Sequence, residues 1–157
     1  MRKLLVVTAS MLLAAAAYGQ TVSVMTPEQA IAAAYPDDGV KGRFAFVVKG
    51  VGEMRTPQGR IVFLNSEQDY RAGANLSVQV LASTVKALEQ ELGGPLTQTM
   101  IGKRVQVNGT ARQTKIGVAE QKGEKPFGHD FQTRIPVTGP EQVKVLSASP
   151  EFVATGV

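Results

Sequence analysis

The chain contains no cysteine and no tryptophan, only one histidine among 157 residues, and few aromatics, at 6%. Without cysteine there can be no disulfide framework, no thiolate-ligated zinc or iron–sulfur centre, and no lipid-modified cysteine. One histidine gives little material for a histidine-based active site or metal site. Charged residues are also sparse, at 19%, yet hydrophobic residues reach 43%, which excludes a disordered, highly charged chain and is enough for one ordinary globular domain. Long apolar runs are nearly absent. The one exception, Leu4 to Ala17, is interrupted by Thr8 and Ser10 and is shorter than the roughly 20 residues of a spanning helix.

That run follows Arg2 and Lys3 and ends in Ala17-Tyr18-Gly19, with small residues where a signal peptidase requires them. It reads as a cleaved secretory signal over residues 1–19, which directs the mature chain to the periplasm or the cell exterior. Its removal takes Arg2 and Lys3 and no acid, lowering the formal charge from +4 to +2. A module that acts on nucleic acid is commonly much more basic.

Residues 20–41 form a leading helical arm. Thr26-Pro27-Glu28-Gln29 has a capping threonine, proline at the first helical position and glutamine three residues past the cap, so a short helix is expected to run to about Tyr35. Pro36-Asp37-Asp38-Gly39 then turns the chain. From Gly42 the period becomes two. Phe44, Phe46 and Val48 form one row, and Gly50 and Gly52 mark a kink at which one long strand serves two sheets. Thr56-Pro57-Gln58-Gly59 turns into a returning strand from Arg60 to Ser66, and a third strand runs from Asn75 to Ala82. A helix capped by Ser83 follows, burying Val85, Leu88 and Leu92, exposing Lys86, Glu89, Gln90 and Glu91, and stopping at Gly93-Gly94-Pro95. Beyond it, Arg104, Gln106, Asn108, Thr110 and Arg112 alternate with Val105, Val107, Gly109 and Ala111. Although Asn108-Gly109 is also a hairpin signal, the two rows keep phase across it and favour a continuous strand. An extended piece at Phe131 to Val137 and a last strand at Gln142 to Leu146 complete the domain, assigned to 42–149, with 150–157 as a tail.

Three meandering strands, a helix, and two further strands, the first glycine-kinked, is the order of a mainly β, five-stranded Greek-key OB-fold barrel with its helix between strands three and four. Phe63-Leu64-Asn65, Asp69-Tyr70, Asn75-Leu76, Gly102-Lys103, Val105 to Gly109 and Pro140-Glu141-Gln142-Val143 support the same assignment. With these motifs the chain resembles small exported bacterial OB-fold proteins described as nucleic-acid-binding-like. The resemblance spans about residues 42–146 and implies a shape that serves oligonucleotide, oligosaccharide and protein ligands alike.

An OB barrel usually binds across its second and third strands and the loops from strand one to two and four to five. On this chain that region holds Arg55, Arg60 and Phe63 on one side, and Lys115, Lys122, Lys125, Phe127, His129 and Arg134 on the other. Arg104, Gln106, Asn108 and Arg112 make a polar row suited to a sugar, a peptide backbone or phosphates, or simply to solvent. Glu120 and Glu124 offset the lysines of the second loop. His129 and Asp130, adjacent on an extended chain, point to opposite faces and are not arranged for proton relay. No nucleophile elbow, phosphate-cradling loop or metal-ligand spacing is present. The expectation is therefore a non-enzymatic binding module without cofactor or metal, with a small-molecule, glycan, peptide or protein ligand. A single-strand nucleic-acid binder is the alternative.

Overall fold

The computed structural model describes residues 23–34, 38–115 and 131–146. The expected signal segment 1–19, Lys122, Lys125, Phe127, the His129-Asp130 pair and residues 150–157 lie outside them. Two residues, β1 (Val24–Met25), precede helix α1 (Pro27–Ala33). The Thr26 cap forms as the sequence predicts: its hydroxyl accepts from the Gln29 amide, and the Gln29 side chain accepts from the Thr26 amide. The helix ends at Ala33, two residues earlier than Tyr35, but Ala30 and Ala34 are fully buried in the core. This leading segment therefore packs as part of the fold.

Strands β2 (Val40–Val47), β3 (Gly50–Thr56), β4 (Gly59–Asn65) and β5 (Leu76–Val80) follow. Helices α2 (Ala82–Leu92) and α3 (Leu96–Thr99) precede β6 (Arg104–Lys115), β7 (Phe131–Val137) and β8 (Val143–Leu146). The eight strands make one mixed sheet, ordered β1-β2-β6-β7-β5-β4-β3, with β8 on the free edge of β6. Five strands were expected. The excess arises because the kinked first strand divides into β2 and β3, and because β1 and β8 extend the half of the sheet built on β2 and β6.

The division is sharp. Val48 donates its amide to Lys103, prolonging the ladder to β6, whereas its neighbour Lys49 donates to Asn65, opening the ladder to β4. Two consecutive residues thus hand one strand from one half of the sheet to the other. No ladder joins β3 back to β2 among the described residues; the covalent chain through Val48 and Lys49 links the two ends.

Strand β6 is continuous through Asn108-Gly109, because a hairpin there would lose the eight-residue register with β2. The apolar rows of all these strands face one core: Phe44, Val62, Leu64, Val78, Val80, Val105, Val107, Ile135 and Val137 are buried. Val47, on the alternate row of β2, is exposed, so only the Phe44 face of that strand is fully covered.

The helix after β5 begins a little earlier than Ser83. Leu81 occupies the cap position and has no side-chain cap; its amide is instead held by Val137. Gly93 ends α2 in the left-handed region at φ 76°, as its position before Gly94-Pro95 requires. Glu89 does not face water freely. One carboxylate oxygen accepts from Arg60 of β4 and the other from the Leu96 amide at the start of α3.

Candidate functional site

The core face of the β3-β4-β5-β7 half is apolar, and the opposite face carries a groove of about 320 Å³. Register explains its lining. Gly50 is paired with Asn65, Asn65 with Ser77, Ser77 with Arg134, and Arg134 with Arg112, so one row crosses five strands. A second row runs from Gly52 through Phe63 to Gln79. Directly paired residues point to the same face of a sheet, so both rows look away from the core. Gly52 on β3 leaves space: a Cβ added there would meet nothing nearer than Cβ of Phe63 at 4.0 Å.

The polar groups in the groove are buried to a degree uncommon for their types. Asn65 is 4% exposed, Gln132 6% and Ser77 0%. Asn65 accepts from Asn75 Nδ2 through its side-chain oxygen. Gln132 donates to the Tyr70 carbonyl at 2.7 Å and accepts from Arg134 Nε at 2.7 Å. The Ser77 hydroxyl has no hydrogen-bond partner among the described residues.

Arg134 lies over the Phe63 ring, 5.1 Å from its centroid. It is half-buried, and that burial alone pulls its guanidinium below the usual arginine range, with no neighbouring carboxylate counteracting it. The guanidinium is nonetheless a cation at neutral pH. Its Nε is taken by Gln132, and neither terminal nitrogen meets a carboxylate among the described residues.

The loop between β4 and β5 borders the groove and is held by Asn75. This buried side chain accepts from the Glu67 amide and donates to Asn65 and to the Tyr70 carbonyl. Asn75 and Asn65 thus fasten the loop and set Tyr70 at the groove. The Tyr70 ring has Arg71 over it at 5.2 Å.

Three residues singled out in the sequence meet here: Phe63 and Arg134 within the groove, and Arg112 at its edge. Arg134 reaches it from the middle of β7 and not from a loop. Five others sit elsewhere. Arg55 and Arg60 pair across the β3-β4 hairpin, and Arg60 is committed to Glu53 at 3.1 Å and to Glu89, making it a tie between hairpin and helix. Arg104, Gln106 and Asn108 lie on the half of β6 that pairs with β2, and Arg104 is about 26 Å from Arg112 along the strand at about 3.3 Å per residue. The sequence reading missed Asn65, Ser77 and Gln132 as site residues. Their signal was a polar residue alternating within each strand, which alone does not distinguish a groove from a solvent face.

The Arg60–Glu89 tie is partly screened, with side chains 30% and 21% exposed. Glu89→Gln is expected to cost about 1 kcal/mol, because the α3 amide keeps a neutral acceptor while Arg60 loses one of two anionic partners. Urea denaturation in a double-mutant cycle with Arg60→Met checks it, a coupling near zero being the contrary result.

Among the described residues there is no cluster of three or more histidines or acids able to hold a metal ion, and no helix long and apolar enough to cross a membrane. No family model matches the chain, and no curated protein matches it. Among solved structures, one assigned as an aspartyl-tRNA synthetase from Leishmania major Friedlin aligns with 90% of this chain at 10% identity and a TM-score of 0.46. The chain spans about a quarter of that protein, 24% of its length. A likeness of that degree leaves the assignment of ligand to the groove itself.

Proposed function

We propose that this chain is an exported, non-enzymatic binding module of the OB type that holds its ligand in the groove across β3, β4, β5 and β7. Barrel architecture is supported by the strand order. Counting β2 and β3 as one kinked strand, each of the five principal strands has a neighbour on both sides: β4 and β6 flank the kinked strand, β5 and β7 pair in parallel, and α2 lies between the third and fourth strands. Export is supported by the basic, apolar and small-residue sequence of residues 1–19.

The observation that carries the binding assignment is the row of buried polar residues on the face opposite the core. A sheet face meant only for solvent has no need to bury Asn65, Ser77 and Gln132, whereas a ligand site needs a few fixed polar groups in a concave surface. The groove coincides with the second and third principal strands of the barrel, β4 and β5, where OB modules commonly bind.

The second reading, a single nucleic-acid strand, is favoured by Arg112 and Arg134 standing side by side. Against it, Phe63 is covered by Arg134 and Tyr70 by Arg71, so neither ring presents two open faces to a base.

Backbone amide shifts of the full chain, titrated with a deoxythymidine oligonucleotide and with sets of oligosaccharides, short peptides and organic acids, test both readings. Binding is expected to shift Phe63, Ser77 and Arg134 with little dependence on salt. Oligonucleotide binding that weakens steeply with salt supports the second reading. Shifts confined to Arg104, Gln106 and Asn108 would reject the groove.

A further inference from the structure

From the donors that converge in the groove, we infer that its ligand presents a single carboxylate, seated end-on against the Arg134 guanidinium and beside the Ser77 hydroxyl. This rests on the groove being the ligand site, and adds the chemical class of what enters it.

The guanidinium is fixed on two sides. Phe63 lies beneath it, Gln132 takes Nε, and Gln132 is itself buried and anchored to the Tyr70 carbonyl. The remaining donors, those of the two terminal nitrogens, form a planar fork whose spacing matches the two oxygens of a carboxylate. A side chain so held loses little freedom when an anion arrives, and a partly desolvated cation gains more from the anion than an exposed one does.

Ser77 supplies the second, independent mark. It is the direct register partner of Arg134 on β5, it is fully buried, and its hydroxyl is without a partner among the described residues. A buried hydroxyl left unpaired is unfavourable, so such a group in a native fold calls for an occupant. An oxygen held by the Arg134 fork stands next to it. The nearby Asn65 engages its side-chain oxygen with Asn75, and its amide nitrogen has no acceptor among the described residues, which adds a second neutral donor to the same row.

Charge selects a carboxylate over a phosphate monoester. One guanidinium, that of Arg134, lines the groove; the Glu53 carboxylate there is paired with Arg60, and Arg112 lies at the rim. A single negative charge is matched within the groove by Arg134, whereas the second charge of a phosphate monoester has no partner there. The carboxylate can belong to a free organic acid or to the C-terminus of a peptide, since both offer the same two oxygens.

The test pairs acids with their neutral amides. Benzoate against benzamide represents the free acid, and N-acetyl-dialanine against its C-terminal amide represents the peptide end; phenyl phosphate is the third arm. Titration of the full chain, followed at the Ser77 and Arg134 amides, is expected to show at least one acid binding about tenfold to a hundredfold tighter than its amide. Whichever pair shows the larger difference identifies the source. Arg134→Gln is expected to abolish that preference. Ser77→Ala is expected to weaken the acid severalfold without lowering the melting temperature, a combination that a merely structural serine would not give.

Equal binding of acid and amide in the groove overturns the carboxylate and leaves the groove standing. Tighter binding of phenyl phosphate than of either acid likewise overturns it. Acid binding that survives Gly52→Ile and Arg134→Gln places the ligand elsewhere and rejects the groove itself, and no binding by any probe rejects the carboxylate.

Discussion

Gly52→Ile is expected to abolish ligand binding in the groove, by a hundredfold or more, while the melting temperature stays level or rises. The position allows this separation because Gly52 is not in the left-handed region and its added Cβ meets only Phe63, at ordinary contact distance. A β-branched residue suits a strand better than glycine does, contributing about 0.5–1 kcal/mol where the backbone is already extended. The rest of the isoleucine side chain has nowhere to go but the groove, where it covers the Phe63 flank of Arg134. Thermal melting and the same amide-shift titration read the two effects independently. A variant that melts well below the parent would mean that the space beside Phe63 is needed for folding; one that binds normally would mean that the ligand does not use this groove.

The largest loss of stability is expected from Phe44→Ala. Phe44 is fully buried on β2, opposite Val107 on β6 and Met25 on β1, so its ring holds together the half of the sheet remote from the groove. Truncating a buried phenylalanine costs about 3–5 kcal/mol, from lost transfer energy and from the cavity left behind. A domain of this size has about 5–15 kcal/mol in all, so the melting temperature should fall by roughly 15–30 °C. Val47→Ala, three residues along and on the exposed row, should change it little. A comparable loss in both variants would contradict the one-sided burial of β2.

The strand elements were legible because their physics is local. Alternation located β4, β5 and β6, the glycine pair located the end of α2, and phase across Asn108-Gly109 distinguished a continuous strand from a hairpin. Less was legible wherever a residue's role is set by a remote partner. Helical spacing puts Glu89 on a solvated face, but the hairpin brings Arg60 against it. Leu81 begins the helix earlier than Ser83 because its amide is held by Val137, far along the chain. Pro136 in β7 has no amide to donate; it is exposed, and the parallel ladder to β5 runs through its position opposite Gln79. The groove was only partly readable for the same reason. Phe63, Arg112 and Arg134 were picked for their chemistry, but Asn65, Ser77 and Gln132 acquire theirs only when register aligns strands from distant parts of the sequence.

That alignment bears on the order in which the molecule assembles. The β3-β4 and β4-β5 ladders join neighbours in sequence and can close early, whereas the parallel pairing of Leu76 to Val80 with Thr133 to Val137 must wait for two helices and the whole of β6. Long-range parallel pairing is slow because loop-closure entropy is lost before any contact repays it. Ser77 and Arg134 face each other only after that step. Recovery of ligand affinity during refolding should therefore lag behind recovery of strand content, and occupancy of the groove reports a finished chain.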